Sequence, residues 1–355
     1  MPGAALPMKK TTTRIVEGQP TVTAIEGLPA GLGGRPHALM PVTAAFPMKV
    51  NPYYLSLIER FDDPIGRQVL PDPRELEDNS RDADPLSEEK QSPTRLVIHR
   101  YPHRVVFLVS NTCAVICRFC MRKRISCRQT PVATDAIESG LAYIHGNRGI
   151  HEVILSGGDP LMLQDDHLVE ILEALTAMEH VRLVRIHTRI PCVWPERISA
   201  GLAQRLSAFH PLFINIHFNH PGEITPQAAR ACALLADAGM PLGSQTVLLK
   251  GVNDNPEVLH ALFAGLLEIR VRPYYLHQID RVPGTAHFQV PLETGLQLME
   301  ALRGRLSGIA MPHYMIDLPG GGGKVELLPE AIVNKTPGVY HIRNFKGRVF
   351  PYSVA

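Results

Sequence analysis

Three cysteines lie close together in the chain with the spacing of an iron–sulfur ligand set. Cys113, Cys117 and Cys120 form a C-x3-C-x2-C pattern directly after the apolar run at 105–109. Cysteine thiolates hold the irons of a 4Fe–4S cluster, so three of them in one loop can bind three irons. The fourth iron would then have no protein ligand. The pattern therefore predicts a cluster with one iron open to a small molecule.

Other uses of these cysteines are open from the pattern alone. A zinc site would need a fourth, remote ligand, and structural zinc sites are usually closed by two C-x2-C pairs, which the sequence lacks. Buried structural thiols are a second alternative. The corresponding functions without catalysis are an iron–sulfur electron carrier and a zinc-binding scaffold. The remaining cysteines are isolated and are expected to be ordinary small residues: Cys127, Cys192 and Cys232.

A glycine pair lies at the end of the second predicted strand. Gly157, Gly158 and Asp159 follow the apolar run at 153–155 almost directly. Glycines at a strand end let the backbone approach a ligand closely and expose carbonyl oxygens as acceptors for a charged amino group. A tight turn would have the same composition. The position of the pair, one strand after the cysteine loop, favours a role in binding.

A glycine-rich loop carries a lysine after the last predicted strand. Four glycines at 320–323 lie between Asp317 and Lys324. The Walker phosphate-binding pattern is absent, because no Ser or Thr follows the lysine. A desolvated lysine on such a loop can form a Schiff base, and pyridoxal phosphate (PLP) is the commonest partner in that chemistry. A flexible linker is the alternative.

Alternating strands and helices must position these residues. Most of the apolar, β-branched runs begin about thirty residues apart, and segments with helical apolar spacing separate them. This alternation predicts an α/β fold of βαβ units whose parallel sheet curls into a full or partial barrel, with functional groups at the carboxyl ends of the strands. The predicted strands are 105–109, 153–155, 183–186, 213–216, 246–249, 274–276 and 314–316. The predicted helical segments are 136–144, 168–178, 198–206, 228–235, 258–267 and 296–306.

The chain divides into three predicted regions. Residues 1–98 are rich in Pro, Gly and Thr at their start and acidic later, which indicates an N-terminal arm or extension with short helices, one of them beginning at Pro52. Residues 99–311 form the predicted core barrel. Residues 312–355 form a C-terminal segment that contains the lysine loop.

Composition excludes several classes of protein. The 355 residues include 36 Lys and Arg against 34 Asp and Glu, so charge gives no reason to expect nucleic acid or a membrane surface as a general partner. The apolar stretches are shorter than the roughly 18 residues of a membrane helix. The segment 1–14 lacks the apolar region of a secretory signal. With six cysteines and no disulfide pattern, we expect a cytoplasmic location.

The motifs together resemble the lysine 2,3-aminomutase family of radical S-adenosylmethionine (radical SAM) enzymes. Besides the cysteine and lysine loops, the similar passages are 51–57, 99–102, 217–221 and 272–275. The resemblance implies a radical SAM partial (β/α)6-type barrel with an N-terminal helical extension and a C-terminal PLP-binding segment. It also implies a 4Fe–4S cluster, S-adenosylmethionine (SAM) and PLP. The implied reaction moves an α-amino group to the adjacent carbon after a 5′-deoxyadenosyl radical abstracts hydrogen.

The resemblance assigns roles by position. Cys113, Cys117 and Cys120 would hold the cluster, and Lys324 would be the catalytic, PLP-linking lysine. The residues implied to line the PLP pocket are Arg100, Tyr101 and Gln245. The residues implied to bind SAM are Gly157, Gly158, Asp159, Arg189 and His217. The residues implied to bind substrate are Arg122 at the carboxylate and both Asp280 and Asp317 at the distal ammonium.

Two carboxylates at the distal position favour lysine as substrate. A neutral or acidic side chain would be badly paired there, and a glutamate-specific relative would need a cation or amide in place of Asp280 and Asp317. Arginine is the alternative, because a guanidinium also binds two carboxylates. A radical SAM enzyme that modifies RNA or protein is a more distant alternative.

Two departures from relatives bear on assembly and product. Some relatives bind zinc through a C-terminal cysteine cluster at a subunit contact, but no cysteine follows Cys232 here. Relatives that make β-lysine for a translation factor lack an intact lysine loop, whereas this loop is whole, which favours a free amino acid as product. The partners implied are an amino acid substrate, a reductant such as flavodoxin or ferredoxin, and a second copy of the chain in a homo-oligomer.

Overall fold

In the computed structural model, one nine-stranded sheet forms most of the fold. Neighbouring strands in this sheet are also consecutive in the chain. The structure describes residues 15–17, 20–29, 32, 36–77, 82–126, 131–337, 339–344 and 346–353, so Cys127 lies outside the described residues. The strands are β1 (Val97–Tyr101), β2 (Arg104–Ser110), β3 (Glu152–Gly157), β4 (Leu183–Thr188), β5 (Leu212–His217), β6 (Leu242–Leu248), β7 (Arg272–Gln278), β8 (His313–Leu318) and β9 (Gly323–Glu326).

All seven predicted strands are confirmed, as β2 to β8. Each pairs in parallel with the next, while β1 and β9 close the two ends of the sheet as antiparallel edge strands. Side chains alternate between the two faces of a strand. In β5, Leu212, Ile214 and Ile216 are buried in the main core, whereas Asn215 and His217 occupy the opposite face, which lines the lumen of the nearly closed sheet.

The predicted helices are also present and carry apolar faces that cover the sheet. Those predicted between the strands are Thr134–Gly146, Asp165–Thr176, Ala200–Leu206, Pro226–Asp237, Pro256–Glu268 and Leu292–Leu302. Two of these helices begin with a proline in the first turn. The residue before each proline, Thr225 or Asn255, caps the helix because its side chain accepts backbone N–H groups. The described helices are α1 (Pro36–Ala45), α2 (Pro52–Leu55), α3 (Lys123–Ser126), α4 (Thr134–Gly146), α5 (Asp165–Thr176), α6 (Ile190–Val193), α7 (Ala200–Leu206), α8 (Pro226–Asp237), α9 (Pro256–Glu268) and α10 (Leu292–Leu302).

No described helix has the length and apolar character needed to cross a bilayer. The described part of the N-terminal extension contains the predicted short helix at Pro52 and four 3-10 turns, Ile25–Gly27, Gly66–Gln68, Pro73–Leu76 and Glu89–Gln91. Lys49 and Gln68 of this extension form hydrogen bonds with the cysteine loop.

A second, three-stranded antiparallel sheet near the C-terminus had no counterpart among the predicted elements. Its strands are β10 (Ile332–Thr336), β11 (Val339–Arg343) and β12 (Val349–Ser353). Every residue of β10 and β12 is exposed, so neither face selects apolar side chains. The alternation that marks a half-buried strand is therefore missing from this part of the sequence.

Candidate active site

The cysteine loop begins where β2 ends, as predicted, and the N-terminal extension holds it from outside. Lys49 Nζ donates to the carbonyl of Cys113 at 2.8 Å, and the Lys49 carbonyl accepts from the backbone N–H of Ile116 at 2.9 Å. The backbone N–H of Arg118 donates to the Gln68 carbonyl at 2.8 Å. The loop is therefore fixed by hydrogen bonds to residues that lie 50 to 67 positions earlier in the chain.

A buried charge cluster holds the middle of the loop. Arg118 lies between two of the cysteines and is 1% exposed. Its Nε and Nη2 donate to the two oxygens of Glu75 at 2.9 and 2.7 Å, and Lys123 Nζ donates to the same carboxylate at 3.1 Å. The Arg118 guanidinium also donates to the carbonyls of Phe46 and Pro47. Removing the carboxylate would leave two cations buried without a counter-charge, so the cluster makes this loop conformation a rigid one.

The three cysteine side chains lie close enough for the charges of Cys117 and Cys120 to act on the Cys113 thiol. Burial raises the pKa of Cys113 well above the usual range, and the negative charges of Asp159, Cys120 and Cys117 raise it further. Arg189 Nη1 donates a hydrogen bond to Cys117 Sγ at 2.8 Å. Donors to sulfur stabilise cluster-bound thiolates and tune the cluster potential. The residues therefore fit a 4Fe–4S cluster, which would be held by Cys113, Cys117 and Cys120.

Arg189, predicted at the SAM site, belongs to a buried polar network. Its Nη2 donates to Tyr54 Oη at 2.9 Å, Gln68 Oε1 at 2.6 Å and Glu223 Oε1 at 2.7 Å. Burial lowers the pKa of Arg189, but the charges of Cys117, Tyr54 and Glu223 outweigh it and the net pKa is raised. Among the described residues, nothing accepts a hydrogen bond from its buried Nε. That donor fits an anionic group such as a carboxylate of a bound cofactor.

The glycine pair at the end of β3 lies against the chain itself. Gly157 has a φ of +125°, and a Cβ there would overlap the Ser110 carbonyl. A Cβ on Gly158 would lie 2.5 Å from the Thr112 carbonyl oxygen. The two glycines are thus required so that β3 can approach the backbone at the start of the cysteine loop. This requirement holds whether or not a cofactor amino group also binds at this edge.

The Asp159 carboxylate forms hydrogen bonds with groups of the chain itself and does not point to a ligand. Its carboxylate accepts from the Leu161 backbone, the Thr188 hydroxyl and the Arg189 backbone at 2.7 to 3.0 Å. Burial raises the pKa of Asp159, and these hydrogen bonds work in the opposite direction. The side chain connects the ends of β3 and β4. In the predicted SAM site it would therefore place Arg189 rather than contact the cofactor.

Replacing Gly158 by alanine is expected to lower the free energy of unfolding by about 2 kcal/mol, because the new Cβ meets backbone that cannot move aside. Iron bound after anaerobic reconstitution should fall in parallel. Chemical denaturation and iron analysis measure both effects. Gly146→Ala is the matched control, since a Cβ there meets nothing within 4 Å. Equal stability and iron content in the two variants would contradict this account of the glycine.

His217 lies in the lumen as a neutral imidazole. Burial, with Arg189 nearby, lowers the pKa of His217 to about 4. Its Nε2 lies 2.9 Å from Asn219 Oδ1, an oxygen that also accepts the backbone N–H of Val247. Nε2 therefore carries the hydrogen and Nδ1 is left as an acceptor. This is compatible with the predicted contact to SAM.

Two further neutral histidines of the lumen were not among the predicted site residues. Burial lowers the pKa of His187 on β4 well below the usual range, and nearby cations such as Arg185 lower it further. Burial and the Lys324 charge lower the pKa of His277 on β7 in the same way. Both occupy lumen positions in strands that alternate apolar and polar residues. That alternation is the sequence signal that could have identified them.

The lysine loop returns along β8 as the edge strand β9. Asp317 on β8 pairs with Lys324 on β9, and Lys324 Nζ forms a close ion pair with Asp317 Oδ2. Gly320, Gly321 and Gly323 have φ values of +67°, +85° and +90°. An L side chain rarely adopts such angles, so the glycines allow the tight reversal that brings Lys324 back to the lumen. The loop is therefore an ordered part of the sheet and not a flexible linker.

The residues predicted to contact PLP surround this lysine. The Tyr101 hydroxyl accepts from the Lys324 backbone N–H at 2.8 Å, and Arg100 Nη1 donates to Asp317 Oδ1 at 3.3 Å. Asp317 therefore contacts both Arg100 and Lys324, which joins the predicted PLP residues to the predicted substrate residues. Gln245 lies on β6 as the pairing partner of His217 on β5, which places the two residues side by side on neighbouring strands.

The lumen near Lys324 fits an aromatic, phosphorylated cofactor. Lys324 Nζ lies 5.9 Å from the centre of the Tyr275 ring, which stacks on Tyr274. Arg185 forms an ion pair with Glu152 on the neighbouring strand, while its buried Nε has no partner among the described residues. Cationic donors of this kind suit a phosphate. Tyr275 and Arg185 were not predicted as site residues, although both lie within predicted strands.

Asp280, predicted at the distal end of the substrate, is a half-buried residue whose carboxylate makes no hydrogen bond within the described part of the chain. Partial burial, together with the nearby charge of Asp317, raises the pKa of Asp280 to about 7. Two neighbouring carboxylates repel each other until a cation lies between them. The arrangement therefore fits a bound ammonium or guanidinium group.

Arg122, predicted to bind the substrate carboxylate, already contacts a carboxylate of the chain. Its Nε and Nη2 donate to the two oxygens of Glu88 at 3.1 and 2.6 Å, and Nη1 lies 3.5 Å from Ser156 Oγ. Burial disfavours the charged form, but Glu88 outweighs it and raises the pKa of Arg122. Glu88 was not predicted, because it lies 34 residues away in the acidic extension.

A parallel barrel-like sheet with a three-cysteine loop after its first parallel strand defines a radical SAM enzyme, and residues 107–263 match the family model of the radical SAM superfamily. Residues 299–354 match the model described as lysine-2,3-aminomutase. The chain belongs to the lysine 2,3-aminomutase family. It is therefore an isomerase that uses a 4Fe–4S cluster, SAM and PLP. Membership sets aside the electron-carrier, zinc-scaffold and macromolecule-modifying alternatives.

Relatives of similar identity carry different substrate names. The chain is 42% identical to L-lysine 2,3-aminomutase of Fusobacterium nucleatum subsp. nucleatum, over 86% of this chain and 73% of the relative. It is 42% identical to L-lysine 2,3-aminomutase of Clostridium subterminale, over 86% and 74%. It is also 43% identical to glutamate 2,3-aminomutase of Clostridioides difficile, over 87% and 74%. Overall identity therefore does not choose the substrate, and the residues of the site must.

Proposed function

We propose that this chain interconverts L-lysine and β-lysine. The observation that carries the proposal is the pair of neighbouring carboxylates at one end of the site, Asp280 and Asp317, in which the charge of Asp317 helps to raise the pKa of the half-buried Asp280. A distal ammonium between them would relieve their repulsion and pair both charges. The acidic side chain of glutamate would add a third negative charge there, which disfavours it strongly.

The chain's own residues hold the other parts of the substrate. Arg122 binds the α-carboxylate with two parallel N–H donors, and Lys324 lies on the Asp317 side, where the amino group must react. When bound, the cluster held by Cys113, Cys117 and Cys120 and the neighbouring SAM would supply radical chemistry, and PLP on Lys324 would supply a π system that stabilises the amino migration. The histidines of the lumen are neutral and therefore do not compete with the substrate cation.

Within this proposal the cofactors have assigned residues. We place the cluster on Cys113, Cys117 and Cys120, SAM near Arg189 and His217, and PLP on Lys324 with Arg100, Tyr101 and Gln245 around it. Gly157, Gly158 and Asp159 position the SAM site through the backbone of β3. The support for these assignments is the set of contacts described above, together with the two buried arginine Nε donors.

We also propose the three-part division at 98 and 311, a reductant such as flavodoxin or ferredoxin, and a homo-oligomer in the cytoplasm. The exposed apolar side chains of the C-terminal sheet support the homo-oligomer, since Phe350 and Tyr352 are 50% and 61% exposed. A small protein reductant is supported by the need to deliver one electron to a cluster that the extension covers on one side.

A competition experiment tests the substrate. The reconstituted protein is incubated without oxygen with equal concentrations of lysine, arginine and glutamate, and the amino acid products are separated and quantified. We expect β-lysine as the main product, formed at least about tenfold faster than any β-arginine, because the site is matched to a compact cation. Faster turnover of arginine would replace the proposed substrate, and any dominant glutamate product would contradict the role of the two carboxylates.

A further inference from the structure

A short acidic segment of the N-terminal extension, residues 84–92, crosses between the two ends of the proposed substrate site. We call it the acidic strap. Its Glu88 is only 4% exposed and accepts from both Nε and Nη2 of Arg122, and also from Arg124 Nη2 at 3.3 Å. Burial acts to raise the pKa of Glu88, but the two arginines outweigh it and lower the pKa. The carboxylate is therefore charged where it meets Arg122.

The paired contact fixes the orientation of the guanidinium. Two parallel hydrogen bonds from Nε and Nη2 to one carboxylate hold the plane of Arg122 and leave no rotation about its long axis. The Nη1 side then faces Ser156 at the end of β3, which is the lumen end where the glycine pair begins. Arg122 can therefore present its Nη1 and Nη2 edge to a substrate carboxylate while Glu88 holds the adjacent Nε and Nη2 edge.

The same strap contacts the lysine end of the site. Gln91 Oε1 accepts from Arg100 Nε at 2.9 Å, and the Pro85 carbonyl accepts from the Gly320 backbone at 2.7 Å. A Cβ on Gly321 would overlap the side-chain amide of Gln91. The strap thus packs against the lysine loop through one end and against Arg122 through Glu88. It links the groups that hold the α-carboxylate to those that hold the amino group.

We propose that Glu88 is a positioning residue that sets the orientation of Arg122 and thereby the enzyme's preference for a free α-carboxylate. This inference rests on the proposed function of Arg122. Glu88 does not touch the reacting atoms; it acts on the substrate through Arg122. A neutral amide at position 88 keeps the size of the side chain but donates as well as accepts, so it cannot hold both guanidinium donors.

The test compares Glu88→Gln with Glu89→Gln. Glu89 has a side chain that is 76% exposed and contacts only Arg124 among the described residues, so the control removes the same charge one position away. For Glu88→Gln we expect KM for lysine to rise at least about tenfold, with kcat changed by less than about threefold, because a misoriented clamp weakens binding more than chemistry. For Glu89→Gln we expect both constants to stay within about twofold of the parent.

A second readout separates positioning from general structural damage. Calorimetry measures binding of lysine and of lysinamide, which lacks the carboxylate, to the anaerobic holoenzyme with iron and PLP content checked. Glu88→Gln should weaken lysine about tenfold and leave lysinamide unchanged, since only lysine uses the clamp. If Glu88→Gln does not fold, Glu88→Asp serves instead, because its shorter carboxylate cannot reach both donors.

The outcomes distinguish the inference from the function on which it rests. If the parent enzyme binds lysine no better than lysinamide, the proposed role of Arg122 itself is wrong. If the parent prefers lysine and Glu88→Gln keeps that preference in full, only the assignment of Glu88 is overturned. Equal weakening of lysine and lysinamide in Glu88→Gln would also overturn it, because that result describes a structural residue.

Discussion

Replacing Lys324 by alanine is expected to abolish aminomutation, with a loss of at least about a thousandfold in kcat, because the amine proposed to link PLP is removed. Lys324 is held on an ordered glycine loop, its backbone bonded to Tyr101 and its amine paired with Asp317. PLP should then lose its covalent attachment, which is measured as the loss of the protein-bound cofactor absorbance. Turnover of lysine is followed by product analysis under the same conditions.

Two variants make this prediction specific. Lys324→Arg keeps a cation beside Asp317 but has no amine that can attack a carbonyl, so it should be as inactive as Lys324→Ala. Lys335→Ala removes a lysine of the exposed strand β10 and should behave as the parent. Activity in Lys324→Ala above about a tenth of the parent value would show that this lysine is not the catalytic one.

Replacing Asp280 by asparagine is expected to lower kcat/KM for lysine by about a hundredfold to a thousandfold, the range for removing one partner of a buried charge pair. The asparagine amide has nearly the same size as the carboxylate but carries no negative charge that could pair with a distal ammonium. Asp237→Asn, which removes an exposed carboxylate on α8, is the matched control and should leave kcat/KM unchanged. Steady-state kinetics with lysine measures both variants.

Titration of Asp280 predicts that kcat/KM for lysine depends on pH. The pKa of Asp280 is raised to about 7 in the free enzyme, so the charged form that binds an ammonium is lost as the pH falls through that value. The kcat/KM for lysine should therefore fall about tenfold per pH unit below 7, since this ratio reports the free enzyme. Asp280→Asn should lack this acid limb. An identical acid limb in parent and variant would assign it to another group.

Much of the fold followed from local patterns, because half-buried elements must alternate polar and apolar side chains. The same rule placed the cysteine loop and the glycine pair at the ends of neighbouring strands. The edge strand β9 escaped prediction because four glycines precede its lysine and only its pairing with β8 makes it a strand. The exposed C-terminal sheet escaped because it buries too little to select a pattern.

The partners of the site residues could not be read from local patterns. Glu75, Glu88 and Glu223 look like ordinary surface acids in the sequence, yet each is buried against an arginine that lies 34 to 43 positions away. Charge pairing at such separations depends on how the chain folds back, which no short motif records. For the same reason, no local pattern indicates that Arg118, in the middle of the cysteine motif, is buried.

Isotope tracing tests the central claim most directly. Lysine labelled with nitrogen-15 at its α-nitrogen and carbon-13 at its third carbon is incubated with the reconstituted enzyme, and the product is examined by NMR. We predict β-lysine in which the two labels are directly bonded, because the α-amino group moves to the neighbouring carbon of a lysine held between Arg122 and the carboxylates Asp280 and Asp317. A nitrogen-15 label that stays on the second carbon would contradict the claim. Lysine recovered unchanged, while arginine or glutamate reacts in a parallel incubation, would also contradict it.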